Sequence, residues 1–232
     1  LAAGEALGGH DLAWLILEKL EGQTLGAHLD KTAFEALLHA AADFQSRALQ
    51  LGPVDKPPPA TDWLKAVHRS REIVPDCGVA EASRWKEALR KLEKGLPAVV
   101  KRWEHRPAQC WCHGDLHPGN AMYRLHGNGN RTCVLIDLGL VHAGHWVEDA
   151  VYLERQYWGH AEMLDGVKPV SELAKCRRDK GLTTNDGYAD LANIRRVLMA
   201  ACVPLQLANQ GNPRYVKGAL DTLERLLPQV VR

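Results

Sequence analysis

Apolar residues recur along this chain in two rhythms. Over residues 32–51 they fall at helical spacing, with Phe34, Leu37, Leu38, Ala41, Phe44, Ala48, Leu49 and Leu51 on one side. The pattern predicts a helix, capped by Asp30 or Thr32 and ended by Gly52-Pro53. Two more helical stretches are expected, over 62–72 and 80–104. The second carries Trp85, Leu89, Leu92, Leu96, Val99, Val100 and Trp103 on one side, with Lys and Arg between them as a solvated face. The helical rhythm resumes over 146–158, 169–180, 186–209 and 213–231, and Pro204 is expected to kink or split the third of these.

The other rhythm is short and strand-like. Residues 13–17 (Ala-Trp-Leu-Ile-Leu) read as a buried strand, preceded by a hairpin turn at Gly8-Gly9-His10-Asp11. Residues 18–24 form a linker punctuated by Gly22, and 53–59 a Pro-rich exposed connection. In the middle of the chain Cys110-Trp111-Cys112 reads as a strand, followed by a dense polar turn, His113 to Asn120. Residues 121–124 form the next strand, Gly127-Asn128-Gly129-Asn130 a hairpin turn, and 133–136 the partner strand, ending at Asp137. The chain is thus mainly helical, with a small hairpin inserted in its middle. Its polar cluster lies on the turns flanking that hairpin, where a rigid frame holds loops in place.

Composition narrows this picture. At 232 residues, 46% hydrophobic and 25% charged, the chain can bury a sizeable core. A net charge of +1 argues against a general nucleic-acid binder. No apolar run approaches the roughly 20 residues of a membrane span. No basic leader with a cleavage site is visible, although the start at Leu1 leaves room for a leader on a longer parent. The six scattered cysteines read as reduced thiols in a cytoplasm. With no Gly-x-Ser-x-Gly and only Ser46, Ser70, Ser83 and Ser171, an acyl-transfer triad lacks a nucleophile of the expected kind. Nothing in the pattern selects an oligomeric state.

The central polar segment reads His113-Gly114-Asp115-Leu116-His117-Pro118-Gly119-Asn120, and later comes Val134-Leu135-Ile136-Asp137-Leu138-Gly139. Phosphoryl transfer needs a carboxylate to orient a hydroxyl and accept its proton, and hard oxygen ligands to hold Mg²⁺ against phosphates. Asp115 suits the first task; Asn120 and Asp137 suit the second. A hairpin returns the chain to where it began, so Asp137 is expected beside the turn. His113 is expected to anchor the loop by bonding nearby backbone rather than to act as a base.

His-x-Asp-x-x-x-x-Asn followed by a hairpin and Asp-Leu-Gly resembles the catalytic and metal-binding signature of the protein-kinase-like superfamily. Gly114 and the run Leu-His-Pro-Gly-Asn after Asp115 are similar to its aminoglycoside phosphotransferase and choline kinase branch. The resemblance implies an α+β fold, the mainly helical carboxy-terminal lobe of a kinase with a central hairpin. It implies a phosphotransferase that uses ATP and Mg²⁺ to modify a hydroxyl of a small molecule, with Asp115 catalytic and Asn120 and Asp137 on the metal. Asp149, twelve positions after Asp137, matches the residue that buttresses the loop, beside His113. The run from Trp14 to Gly22 resembles the hinge, so the backbone of Glu18 and Leu20 would hold the adenine while the Glu18 side chain faces solvent.

Two features depart from the family pattern. Leu138-Gly139 stands where many members carry an aromatic and an acidic residue, and only about a dozen residues precede the hinge strand. Residues 1–24 are therefore expected to be a remnant of the amino-terminal lobe with the hinge, and 25–232 the helical catalytic lobe. A pseudokinase or nucleotide-binding module without transfer activity is the alternative.

Other residues have blander readings. Cys110-x-Cys112-His113 is expected to pack beside the loop rather than to bind zinc. His142 and His145 are expected to face solvent rather than line an acceptor pocket, and His117 is given no chemical role. Trp63, Trp146, Tyr157 and Trp158 are expected in the core.

Overall fold

The computed structural model describes residues 1–54, 56, 58–207 and 211–231. It opens with a ribbon in which β1 (Ala2–Gly4) pairs antiparallel with β2 (Trp14–Ile16). Between them Leu7 and His10 exchange two backbone hydrogen bonds of 3.0 Å, and Gly8 and Gly9 take the positive φ that this tight turn requires.

The expectation of a buried strand here is overturned. Leu15 and Ile16 are 64% and 57% exposed, and Leu17 is exposed as well. A two-stranded ribbon buries a side chain only where another layer covers it, and none does so here among the described residues.

The helical body follows. Helix α1 (Lys31–Leu51) is capped by Asp30, whose carboxylate accepts the Ala33 N–H at 2.7 Å. Asp62 caps α2 (Trp63–Ile73) in the same way through the Lys65 N–H. The single helix expected over 80–104 is instead two, α3 (Ala82–Glu93) and α4 (Leu96–Glu104). The cause is Gly95-Leu96-Pro97: proline lacks the N–H needed to continue the ladder and is at home in a first turn, so the chain restarts there. Beyond the hairpin come α5 (Val147–Arg155), α6 (Pro169–Asp179), α7 (Tyr188–Ala201), α8 (Val203–Leu207) and α9 (Pro213–Val230). Helix α5 ends three residues short of the expected boundary. The break between α7 and α8 falls at Cys202, just before Pro204; the expected end at Asn209 lies outside the described residues.

Two ribbons frame the polar turn. Strands β4 (Ala121–Leu125) and β5 (Arg131–Leu135) form the expected hairpin, with Ala121 opposite Leu135. Strand β3 (Cys110–Cys112) pairs antiparallel with a strand that the apolar pattern does not reveal, β6 (His142–Gly144). Helix α1 packs across β3, β5 and α6, while α5 packs on α6 and α7. The core gathers the apolar stripes of these helices, including Phe34, Leu37, Leu38, Trp85, Leu89, Trp146 and Leu173. Trp63, Trp146, Tyr157 and Trp158 are all buried. No described helix is long and apolar enough to cross a membrane.

Candidate active site

The turn between β3 and β4 is held from several sides. Asp149, on α5 and 1% exposed, receives three hydrogen bonds. Its Oδ2 accepts the His113 N–H at 3.0 Å and the Gln45 side-chain amide at 3.0 Å; its Oδ1 accepts the Gly114 N–H at 3.0 Å. Gln45 in turn accepts from the buried Arg177 guanidinium, which also donates to the Thr183 carbonyl at 2.8 Å. A carboxylate on α5, an amide on α1 and a guanidinium on α6 thus form one buried relay behind the loop. Burial pushes the Asp149 carboxyl up, against the backbone N–H groups that stabilise its ionised form.

His113 uses both ring nitrogens on backbone. Its Nε2 lies 3.0 Å from the Ile136 carbonyl, and its Nδ1 lies 3.2 Å from the Asp115 N–H. Only one tautomer satisfies both: Nε2 donates and Nδ1 accepts. The ring therefore ties the start of the turn to the residue before Asp137. The Ile136 N–H closes the same connection by donating to the Asn120 carbonyl at 2.9 Å.

Inside the turn, the Asn120 Nδ2 donates to the Asp115 carboxylate at 2.9 Å and to the Asp115 carbonyl at 3.1 Å. Both amide hydrogens are thereby directed at Asp115, which leaves Oδ1 as the remaining polar atom of Asn120. His117 caps the following turn by accepting the Gly119 N–H on Nδ1, and its Nε2 stands 3.6 Å from the Asp115 carboxylate. Burial alone would raise the Asp115 carboxyl. The Tyr152 hydroxyl, His117 and Asn120 outweigh it and hold the group below its ordinary range. Asp115 remains partly open to solvent and ionised at neutral pH.

Gly114 shows why a glycine stands here. Its φ is +84°, and a Cβ at this position would lie 2.2 Å from the Leu140 carbonyl oxygen. Asp137 is exposed and sits in left-handed backbone, φ +58°, directly after Ile136. Asp is one of the few side chains that tolerate this region, and such outliers concentrate at functional positions. The fold thus joins His113, Asp115, Asn120 and Asp149 by direct hydrogen bonds and attaches Asp137 through its neighbour Ile136.

Glu18 and Leu20 lie apart from this cluster, on the segment after β2. An isolated bridge between Thr24 and Met122 sets that segment against β4. The Glu18 side chain does not simply face solvent: its carboxylate accepts from the Arg124 guanidinium at 2.9 Å, and this lowers its carboxyl. The pair is exposed, so its contribution to stability is small.

Several polar residues around the loop escaped the sequence reading, and some of them left a signal. Gln45 occupies the apolar stripe of α1, four positions after Ala41, and Arg177 occupies that of α6, after Val170, Leu173 and Ala174. A polar residue in a core-facing register needs a buried partner. Tyr152 gave no such sign. The expectation for the two histidines is corrected. His145 is fully buried, and burial drives its imidazole down to about 4. The His142 side chain is 21% exposed, with Nδ1 donating to the Leu140 carbonyl at 2.9 Å and Nε2 turned toward Glu148 at 3.8 Å. Pairing of β6 with β3 draws both inward. Cys110 and Cys112 share a face with their sulfurs 3.8 Å apart, while both ring nitrogens of His113 are taken by backbone.

A helical lobe that carries a hairpin and a pinned Asp-x-x-x-x-Asn turn is the architecture of a kinase-like phosphotransferase. The chain belongs to the phosphotransferase enzyme family, whose family model matches residues 1–166. It is similar to an aminoglycoside phosphotransferase structure from Alicyclobacillus acidocaldarius (TM-score 0.51, 14% identity, 92% of this chain and 69% of that one). Weaker likenesses join it to a type I macrolide 2'-phosphotransferase (TM-score 0.41, 15% identity, 95% and 65%) and an ethanolamine kinase from Plasmodium vivax (TM-score 0.46, 10% identity, 90% and 63%). At such identities the first likeness speaks to fold alone. The chain spans about two thirds of the length of these proteins. None of the curated proteins matches it by sequence.

Proposed function

We propose that this protein transfers the γ-phosphoryl group of ATP to a hydroxyl of a small molecule. The observation that carries the reading is the amide–carboxylate pair of Asn120 and Asp115 on a loop fixed by Asp149. Asp115, ionised at neutral pH, orients the acceptor hydroxyl and takes its proton as the oxygen attacks the γ-phosphorus. The bond from that phosphorus to the bridging oxygen breaks, and ADP leaves. Asn120 Oδ1 and the exposed Asp137 carboxylate are hard oxygens of the kind Mg²⁺ selects, so these two residues would hold it. When bound, the ion would neutralise phosphate charge.

Family membership supports phosphoryl transfer, while the motif supports ATP as donor and an alcohol as acceptor. The Thr24–Met122 bridge supports the hinge assignment, in which the Glu18 and Leu20 backbone holds the adenine. Six free cysteines fit a cytoplasmic setting.

Asp115→Asn keeps the shape of the site and removes the proton acceptor. Turnover is expected to fall by roughly 10²- to 10⁴-fold with nucleotide affinity retained. Steady-state kinetics beside nucleotide calorimetry measure both, and unchanged turnover would refute the assignment. Nucleotide binding without transfer in the unmutated protein would mark a pseudokinase instead.

A further inference from the structure

His117 stands in extended backbone at the cap of a short 3-10 turn, Pro118–Asn120. Pro118 has no N–H to offer, so the first donor of this turn that needs a partner is Gly119. Its N–H donates to His117 Nδ1 at 3.0 Å. A ring nitrogen that accepts carries no proton, so the imidazole is neutral and its hydrogen sits on Nε2. That nitrogen faces Asp115, 3.6 Å from Oδ2 of the carboxylate.

Capping alone does not call for an imidazole. Asn, Asp and Ser are the strong caps, and each does the work with one short polar arm. The ring also needs room. A Cβ at residue 119 would lie 2.7 Å from His117 Cε1 and 2.8 Å from Nδ1, so only glycine leaves the ring where it is. A second task for the second nitrogen accounts for both residues.

Oδ2 is also the oxygen that Asn120 Nδ2 meets, at 2.9 Å. Two donors of one loop thus converge on one oxygen, and among the described residues no hydrogen bond from the loop ends on Oδ1. From α5 the Tyr152 hydroxyl bonds the same carboxylate. At 3.6 Å the histidine contact is longer than a hydrogen bond. Catalytic contacts run long before substrate binds and tighten with it. The His117 and Asp115 side chains are 29% and 24% exposed, so a bound molecule can press on both. His117 is no proton relay: Nδ1 is taken by Gly119 and Nε2 already holds its hydrogen.

We infer that His117 is a positioning residue for phosphoryl transfer: its Nε2–H joins Asn120 in holding Oδ2 of Asp115, so that Oδ1 is the oxygen presented to the acceptor hydroxyl. The inference rests on the proposed role of Asp115 as base.

Two substitutions divide the two tasks of the ring. Asn at 117 places an oxygen where Nδ1 was and keeps the cap, but has nothing in place of Nε2. Gln places an amide nitrogen where Nε2 was and loses the cap. ADP formation from MgATP, with ethanolamine, kanamycin or water as acceptor, is measured beside thermal melts. His117→Asn should lower turnover about tenfold or more, with the nucleotide KM and the melting temperature unchanged. His117→Gln should recover most of that loss while melting lower. In an Asp115→Asn background, His117→Asn should cost nothing further, because the group it positions is gone. Parental turnover in His117→Asn, or an independent loss in the Asp115→Asn background, would overturn the inference and leave the kinase reading intact. Unchanged turnover in Asp115→Asn alone would instead sink the kinase reading. Nitrogen-15 spectra of the histidine rings test the contact without turnover. The His117 proton should reside on Nε2, and that resonance should move in Asp115→Asn. A proton on Nδ1, or an Nε2 signal indifferent to Asp115, would refute the contact itself.

Discussion

Gly114 and Asp137 adopt left-handed backbone for different reasons, and substitution should separate them. At Gly114 the obstacle is steric as well as conformational: any Cβ meets the Leu140 carbonyl, a backbone atom that has no rotamer to move aside. Gly114→Ala should therefore lower the melting temperature, by the equivalent of about 2 kcal/mol or more, and abolish transfer. Thermal melts beside activity assays would show both losses together. At Asp137 the backbone alone is unusual. Asparagine shares the tolerance of aspartate for this region, so Asp137→Asn removes charge without strain, whereas Asp137→Ala adds about 1–2 kcal/mol of strain. The expected result is equal loss of Mg²⁺-dependent turnover in both variants, with a lowered melting point only in the alanine variant. These two positions also mark the limit of sequence reading. The motif named Asp137 and its neighbours, but the reason for Gly114 lies in Leu140, a contact made only once β6 pairs with β3.

Elements were legible in proportion to their length and caps. Helices α1, α6 and α9 follow directly from apolar spacing bounded by Asp30, Pro169 and Pro213. The stretch over 80–104 misled because its apolar stripe runs on through Gly95-Leu96-Pro97 while the backbone cannot. Strand β6 was invisible because three residues, His-Ala-Gly, carry no alternation to read. The relay behind the loop was encoded as misfits, Gln45 and Arg177 on otherwise apolar faces, but their partners are set by how helices α1, α5 and α6 pack. That packing has an energetic test. Asp149→Ala strands the N–H groups of His113 and Gly114 together with the Gln45 amide, and should cost roughly 3–5 kcal/mol. Gln45→Ala leaves those backbone bonds in place and should cost less, roughly 1–3 kcal/mol. Urea unfolding of the two variants would rank them, and the reverse order would contradict this account of the relay.

For the whole molecule, acid is an informative stress. Burial by itself would raise the Glu148 carboxyl, but His142, Arg195 and Arg106 outweigh it and hold the group at about 2, against an ordinary 4.5. Between those values the unfolded chain binds a proton that the folded one refuses. The contribution of Glu148 is therefore complete above about pH 4.5 and is lost as pH falls toward 2. Glu148→Gln should be less stable than the parent by roughly 3 kcal/mol at pH 7, and the gap should close on acidification through that window. Unfolding followed by circular dichroism at stepped pH would reveal it; a gap that widened in acid would reverse the assignment. The relay behind the loop has a further meaning at this scale. Gln45 meets Asp149 from 104 positions away, and Arg177 meets Gln45 from 132. The eight-residue signature is accordingly no portable cassette: grafted onto another scaffold without that distant amide and guanidinium, it would carry the letters of the motif and none of its rigidity.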